Sequence, residues 1–194
     1  MRSSTRSARQ VKNFKIMLPD DLPRSDRVLL CPFEGEFWAR GLAWYNDPDI
    51  IAATSDDPNP LTEAQFRELI DRDRLSEAAR VFGVRESGGR PIGVLVLRNI
   101  DPAHRGAELH ITIGEPAFRG KGYGAEAIRL TVAFAFDRLG LHKVISTPFA
   151  HNLPMVRCLR KCGFEQEGLL RDALYIGGKF INVVIMGTIN PRER

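Results

Sequence analysis

The sequence predicts an α/β fold of the α+β kind, with a mixed central sheet of about seven strands, antiparallel in its N-terminal part, and about four helices. Segments of alternating apolar and polar residues recur along the chain, and amphipathic helical patterns lie between some of them. The chain has 194 residues, of which 43% are hydrophobic and 27% charged. This size and composition suit one globular domain with a sizeable core.

The first element is a basic leader, which we expect to be flexible over residues 1–26, with the folded domain at 27–194. Residues 1–27 contain seven Lys/Arg and three Asp/Glu, whereas the remainder carries 21 of each sign. The net charge of +4 therefore belongs to the leader and not to the body. Such a tail can contact an anionic partner such as RNA, but a solvated mobile end is the commoner case. Nucleic acid is not an expected partner elsewhere.

Neither a membrane span nor a secretory signal is expected. No apolar run approaches the roughly 20 residues of a transmembrane helix, and the basic N-terminus has no apolar core behind it. Cys158 and Cys162 lie four residues apart, but further metal ligands are not evident nearby. We expect a cytoplasmic protein without a metal, whose three cysteines are buried free thiols.

The N-terminal part of the domain predicts a strand at Val28–Pro32 and a helix over about residues 35–45. The segment 46–49 ends that helix, because the residue before a proline avoids the helical region. A loop is expected through residues 54–60. Thr62-Glu63-Ala64-Gln65 matches a capping box, which opens a second helix with Phe66, Leu69 and Ile70 as its buried stripe.

This region is acidic. Residues 47–73 contain eight Asp/Glu and two Arg. The local charge could attract a cationic substrate, and Asp56 and Asp57 in the loop are the candidate substrate-binding residues. The alternative is an ordinary solvated helix surface.

The middle of the chain predicts three antiparallel strands. Residues 79–86 and 91–98 alternate and are joined by Ser87-Gly88-Gly89-Arg90, a hairpin signal. The third strand, residues 106–114, carries apolar Leu109, Ile111 and Ile113 on one face and Glu108, His110 and Thr112 on the other.

A glycine-rich turn follows the third strand and opens a helix that runs to about residue 139. Arg119-Gly120-Lys121-Gly122-Tyr123-Gly124 can direct main-chain N–H groups into one concavity, and the helix adds its unpaired N–H groups and positive dipole end. The turn is therefore a candidate phosphate cradle. The alternative is a tight strand-to-helix turn without a ligand. The P-loop spacing is absent, and the order of elements differs from a dinucleotide-binding fold.

The C-terminal part predicts a strand at 141–147, a short helix from Asn152 to Gly163, and two strands at 169–175 and 180–189 joined by Gly177-Gly178. Asn152 is well suited to cap its helix.

Together these features resemble the GNAT superfamily of N-acetyltransferases over residues 27–194, and in particular the RimJ/RimL branch, which includes spermidine acetyltransferases. The matching stretches are Arg27–Leu30 with Trp44–Pro48, Ala107–Leu109, Arg119–Ala127, Leu139–Val144, Asn152 with Lys161–Phe164, and Glu167–Arg171. The Arg-x-x-Gly-x-Gly pattern at Arg119, Gly122 and Gly124 is similar to the family's pyrophosphate-binding motif.

The resemblance implies acetyl-coenzyme A as co-substrate, held where two parallel strands splay apart. Implied cofactor-binding residues are Ile111, Thr112 and Ile113 on the first strand, Arg119, Gly120, Lys121, Gly122, Tyr123 and Gly124 in the cradle, and Asn152 and Arg157. Main-chain amides near residues 111–113 would orient the thioester and stabilise charge on its oxygen.

The resemblance also implies direct transfer to a primary amine, which must first lose a proton. Glu108 matches the family's strand glutamate and is the first candidate base, acting through a water, with His110 as the second candidate. Alternatively, Glu108 is a structural carboxylate paired with an arginine such as Arg105.

The chain departs from the family where many relatives carry a tyrosine or serine that protonates the leaving thiolate, because Leu159 and Met155 stand there. Either the coenzyme thiolate leaves with solvent help, or Tyr123, Tyr175 or Cys158 acts, or the reaction is slow. The acceptor is either a small polycation or a peptide α-amine. A non-catalytic acetyl-coenzyme A or amine sensor is the alternative function, and a homodimer is left open.

Overall fold

The computed structural model describes residues 22–193, so most of the expected basic leader lies outside the described residues. The described strands are β1 (Val28–Pro32), β2 (Arg80–Glu86), β3 (Pro91–Asp101), β4 (Gly106–Ile113), β5 (Lys143–Ser146), β6 (Glu165–Ile176) and β7 (Lys179–Ile189). The described α-helices are α1 (Phe37–Tyr45), α2 (Pro48–Thr54), α3 (Glu63–Arg74), α4 (Tyr123–Asp137) and α5 (Leu153–Lys161).

The strands form one mixed sheet in the order β1-β2-β3-β4-β5-β7-β6. The first four strands are antiparallel neighbours: β2, β3 and β4 pair in turn as predicted, and β1 pairs with β2 although three helices separate them in the chain. The pairing of β4 with β5 is parallel, and β7 returns antiparallel between β5 and β6. The predicted fold class is confirmed.

The parallel pair stays together over a short distance. Gly106, Ala107 and Glu108 pair with Lys143, Val144 and Ile145, and the ladder ends there, although β4 continues to Ile113. Residues 109–113 keep their pairing with β3 on the other side. A gap therefore opens between β4 and β5 beyond Glu108.

Helices cover both faces of the sheet. Alternate residues of β3 divide the core: Leu97 packs with α4 and α5, whereas Val94 and Val96 pack with α1 and α3. Phe37 of α1 and Phe66 of α3 are almost fully buried on that second face. This arrangement follows from period-two alternation in a sheet that is covered on both sides.

Helix α2 is the element that the sequence prediction missed. The prediction placed a break at residues 46–49 and a loop after it, with about four helices in all, whereas five α-helices lie within residues 22–193. Asp47 caps α2 by accepting a hydrogen bond from Asp49 N, and Pro48 occupies its first position. Proline is well tolerated there, because the first-turn N–H groups have no intrahelical partner.

The start of the domain includes residues that were assigned to the leader. Leu22 is buried against the core, and Pro23 O accepts a hydrogen bond of 3.0 Å from Leu30 N. At the other end of the chain, the β6–β7 hairpin exposes several large apolar side chains. No helix within the described residues is long and apolar enough to cross a membrane.

Candidate active site

Glu108 lies at the last paired position of β4 and β5, where the gap begins. Its carboxylate accepts hydrogen bonds from the Thr147 hydroxyl (2.5 Å) and from Asn99 Nδ2 (3.2 Å). His110 Nε2 lies 3.2 Å from Glu108 Oε1, within ion-pair distance, although its direction does not suit a hydrogen bond. The carboxylate is thus surrounded by donors at the closed end of the gap.

These neighbours keep Glu108 ionised. The imidazole of His110 is the largest influence and the Thr147 hydroxyl adds to it, so that the pKa of Glu108 falls to about 2 despite partial burial. Glu108 does not pair with Arg105, which was the alternative interpretation. Arg105 donates instead to Gly140 O and to the Glu193 carboxylate.

His110 and Thr112 lie on the same face of β4 as Glu108, as the alternation predicts. His110 Nε2 is buried without a hydrogen-bond partner among residues 22–193. Tyr45, at the end of α1, lies beside the Thr112 side chain, and burial raises the pKa of its phenol. Sequence reasoning missed Tyr45, Asn99 and Thr147 because they come from elements far apart in the chain.

The glycine-rich turn carries unpaired donors. Gly122 is the N-cap of α4 with a φ of +90°, and Gly120 has a φ of +72°, a conformation that other residues rarely adopt. Within the described chain, the N–H groups of residues 120–125 make no hydrogen bond of normal geometry to a protein acceptor. A Cβ added at either glycine would occupy space that protein atoms leave open. These features fit a phosphate group at the N-terminus of a fifteen-residue helix.

The side chain of Arg119 is directed away from this concavity. Its guanidinium donates to Ile113 O (3.0 Å), Gly114 O (2.6 Å) and Asp47 Oδ2 (2.6 Å). The Lys121 carbonyl accepts from Arg27, whose guanidinium also lies 4.2 Å from the centre of the Tyr123 ring. Arg119 therefore holds the end of β4 in place, and its main-chain N–H is also engaged, since it donates to Pro116 O (3.1 Å).

Ile111, Thr112 and Ile113 lie on the part of β4 that has no β5 partner, and all three are partly exposed. Asn152 caps α5 by accepting from Met155 N (3.1 Å), and its Nδ2 donates to Ala53 O (3.1 Å) at the end of α2. Arg157 is exposed on α5. The structure thus brings together the end of β4, the cradle and the start of α5 around the gap.

Asp56 and Asp57 are exposed in the loop after α2, and Asp57 Oδ1 accepts from Asn59 N (2.9 Å). Much of the acidic stretch is neutralised by ion pairs, namely Asp47–Arg119, Glu63–Arg67, Asp71–Arg74 and Asp73–Arg98. Asp56 and Asp57 make no ion pair among the described residues and can attract a cation, as can Glu68 and the 91% exposed Asp49.

None of the candidate proton donors to a leaving thiolate hydrogen bonds Glu108 within the described residues. The Tyr123 ring contacts Phe118 edge-on in the cradle, and Tyr175 is 67% exposed on the β6–β7 hairpin. The neighbouring Cys162 thiol lowers the pKa of Cys158, and Cys162 Sγ donates a hydrogen bond to Ala125 O on α4. The three cysteines are free thiols, partly exposed and not fully buried as expected.

A cavity of about 440 Å³ lies elsewhere, between α4 and the C-terminal segment, with Arg129, Phe136 and Arg192 among its lining residues. It contains none of the predicted site residues.

The acetyltransferase (GNAT) domain family model matches residues 27–165. The chain belongs to the GNAT acetyltransferase family. It is accordingly an acyltransferase of the N-acetyltransferase type.

Among GNAT relatives, the spermidine N(1)-acetyltransferase of Escherichia coli K12 is 28% identical over 165 residues, covering 85% of this chain and 87% of that protein. The Vibrio cholerae spermidine N-acetyltransferase, solved in complex with CoA and spermine, superposes with a TM-score of 0.77 at 26% identity, covering 85% of this chain and 96% of that one. A dodecameric structure of the Vibrio cholerae enzyme superposes with a TM-score of 0.71 at 25% identity, covering 87% and 97%.

Proposed function

We propose that this chain transfers the acetyl group of acetyl-coenzyme A to a primary amine of a small polycation of the polyamine type. The observation that carries the proposal is the coincidence, in one groove, of unpaired cradle N–H groups, an unpaired stretch of β4 and an ionised carboxylate at the closed end. The complex of the Vibrio cholerae relative with CoA and spermine supports it.

The co-substrate supplies a thioester-linked acetyl group. The N–H groups of residues 120–125 hold its diphosphate. The edge of residues 111–113 has no β5 partner, and its main-chain groups other than Ile113 O, which Arg119 occupies, pair with the extended arm in the manner of an added strand. Asn152 and Arg157 border the arm from the other side. Holding both reactants in one groove supplies much of the orientation that the transfer needs.

The proton of the acceptor amine goes to the Glu108–His110 pair. A primary alkyl amine has a pKa of about 10, so it arrives as an ammonium ion. Glu108, with a pKa of about 2, binds a proton weakly at neutral pH. We therefore assign proton acceptance to His110, directly or through a water, and assign to Glu108 the stabilisation of the resulting imidazolium. This reverses the order in which the sequence ranks the two residues.

The acceptor class rests on charge. Asp56 and Asp57 provide exposed carboxylates beside α2, and the ammonium groups of a polyamine that do not react can interact with them. A peptide with a single free α-amine has no further ammonium group for these carboxylates, so they would contribute less to its binding than to that of a polyamine.

The proposal is tested with purified full-length protein, acetyl-coenzyme A and a panel of amines: spermidine, spermine, an aminoglycoside and peptides with a free N-terminus. Release of free thiol reports turnover. Spermidine and spermine should give the highest kcat/KM. Preference for the peptides would reassign the acceptor, and coenzyme binding without turnover of any amine would favour a sensor.

Two variants test the proton pathway. His110→Gln should lower kcat by about a hundredfold or more, because general-base catalysis is lost, while the coenzyme Kd measured by calorimetry stays the same. Glu108→Gln should lower kcat less than His110→Gln does, because the imidazole that accepts the proton is still present. A larger loss of kcat in Glu108→Gln than in His110→Gln would return the role of base to Glu108.

We also infer that the chain forms a homo-oligomer through its β6–β7 hairpin. Large apolar side chains stand exposed there, and the dodecameric Vibrio cholerae relative shares the fold.

A further inference from the structure

Helix α2 is attached to the cradle at its N-terminal end. Asp47, its N-cap, accepts a 2.6 Å hydrogen bond from Arg119 Nη2. The same nitrogen donates to Gly114 O at 2.6 Å, and Arg119 Nε donates to Ile113 O at 3.0 Å. Asp47 and Arg119 are about three-quarters buried, at 24% and 27% side-chain exposure, so solvent weakens the pair less than it would at the surface.

The C-terminal end of α2 is attached to the opposite side of the gap. His151 Nε2 lies 3.0 Å from Ala52 O, and Asn152 Nδ2 donates to Ala53 O at 3.1 Å. These carbonyls belong to the last turn of the helix, where they have no intrahelical donor. Their partners, His151 and Asn152, lie in the segment that connects β5 to α5.

Helix α2 therefore connects the two sides of the opening between β4 and β5. Its seven residues span about 10 Å at 1.5 Å per residue, roughly twice the 4.8 Å spacing of neighbouring strands. A helix of this length reaches across an opening that admits one additional extended chain. Ile50, 7% exposed, fixes the middle of α2 to the core beside α1 and α3.

We propose that Asp47 is a positioning residue for acetyl transfer: Arg119 is already fixed beside the cradle by its two carbonyl contacts, and the ion pair with Asp47 holds α2 across the gap as the wall against which the acceptor amine binds. This inference rests on the proposed function. The loop with Asp56 and Asp57 continues from α2, and its position relative to the thioester depends on the same contact. Asp47 touches neither reactant and acts through Arg119 and the helix that it caps.

Asp47→Asn separates the two contacts of this side chain. Asparagine is as good an N-cap as aspartate, so the bond from Asp49 N is retained while the charge facing Arg119 is lost. Asp49→Asn is the matched control: it makes the same charge change on the same helix, but its side chain is 91% exposed and lies 3.9 Å from Arg119 Nη1.

In Asp47→Asn we expect kcat/KM for the amine to fall about tenfold, because displacement of a positioning element has effects of this size or more. The fall should come from a higher KM, with kcat little changed. The coenzyme Kd should stay within about twofold, because Arg119 keeps its two carbonyl partners. Amide hydrogen exchange of residues 48–54, measured without coenzyme, should speed up in Asp47→Asn and stay unchanged in Asp49→Asn.

Three outcomes would overturn the inference. Asp47→Asn with wild-type kinetics and wild-type exchange would remove Asp47 from any positioning role. A loss of coenzyme affinity as large as the loss of kcat/KM would make it a support of the cradle alone. Equal effects in Asp47→Asn and Asp49→Asn would point to a general effect of charge. In all three outcomes the variants are compared with a wild type that turns over the amine. If the proposed function is wrong, the wild type itself shows no turnover.

Discussion

Glu108 illustrates how neighbours decide what one residue can do. Its place on β4 could be predicted from alternation, and its importance from the family resemblance. The hydrogen-bond partners of Glu108 could not be predicted, because Asn99 lies on β3 and Thr147 follows β5. Only the folded sheet brings Asn99 Nδ2 to 3.2 Å and the Thr147 hydroxyl to 2.5 Å from the Glu108 carboxylate. The same neighbours that make the carboxylate a poor proton acceptor make it a fixed negative charge beside His110.

This environment predicts a pH-dependent contribution to stability. The pKa of Glu108 falls from 4.5 to about 2 on folding, so its contribution is fully present above pH 4.5 and is lost as the pH falls towards 2. The free energy of unfolding of the wild type should exceed that of Glu108→Gln by about 2 kcal/mol above pH 4.5, after allowance for its partial exposure.

Urea unfolding at several pH values measures this difference, which should shrink to nothing near pH 2. Glu68→Gln, at an exposed carboxylate on α3, provides the control and should match the wild type throughout. A difference between wild type and Glu108→Gln that stayed constant with pH would mean that the amide disturbs packing and that the charge is not the cause.

At the scale of elements, local sequence signals predict most of the helices and strands, and they fail where the structure depends on contact between two elements. The capping box at Thr62 and the N-cap at Asn152 are present in the structure, because each depends on residues within one turn. Helix α2 was missed, since Pro48 was interpreted as a helix end although it also suits a helix start. The position at which β4 and β5 separate has no local signal, because it depends on residues more than 30 positions apart.

The turn before α4 supports a prediction at this scale. Gly122→Ala places a Cβ at a φ of +90° and in space that protein atoms leave open beside the cradle N–H groups, so it should strain the turn and obstruct a phosphate bound there. We expect the coenzyme Kd to rise about tenfold and the free energy of unfolding to fall by about 1–2 kcal/mol.

Gly177→Ala, in the turn between β6 and β7, is the matched control. Its φ is +54° and protein atoms leave its Cβ position open, so it should show a similar loss of stability with unchanged coenzyme affinity. Equal coenzyme affinities in the two variants would mean that the cradle does not contact the diphosphate. Calorimetric titration of each folded variant with coenzyme A distinguishes the two results.

At the scale of the whole molecule, the sheet joins an N-terminal half, in which consecutive strands pair antiparallel, to a C-terminal half built around β5 and β7. The first half follows from the sequence, because each strand pairs with the next. The second half does not follow from the sequence in this way. β7 lies between β5 and β6, so the last strand of the chain pairs with both, and β6 forms the edge of the sheet. The site lies at the junction, and this explains why its residues come from both halves.

The C-terminal hairpin also bears on assembly. Tyr175 and Phe180 face each other across β6 and β7 with ring centres 4.9 Å apart, yet they are 67% and 65% exposed. Leu169 and Leu170 are 46% and 48% exposed on the same edge strand. Exposed apolar side chains grouped in this way are typical of an interaction surface, and an edge strand offers unpaired main-chain groups as well.

We expect a second copy of the chain to cover this hairpin, since a self-complementary patch gives a closed symmetric contact. Sedimentation of the wild type should therefore show an oligomer. The double variant Tyr175→Ser with Phe180→Ser should shift it towards the monomer, because it removes two large apolar side chains from the contact. Lys179→Ser, which changes an exposed polar residue of the same hairpin, should leave the assembly intact. A wild type that sediments as a monomer at micromolar concentration, or an oligomer unaffected by the double variant, would place the contact elsewhere or remove it.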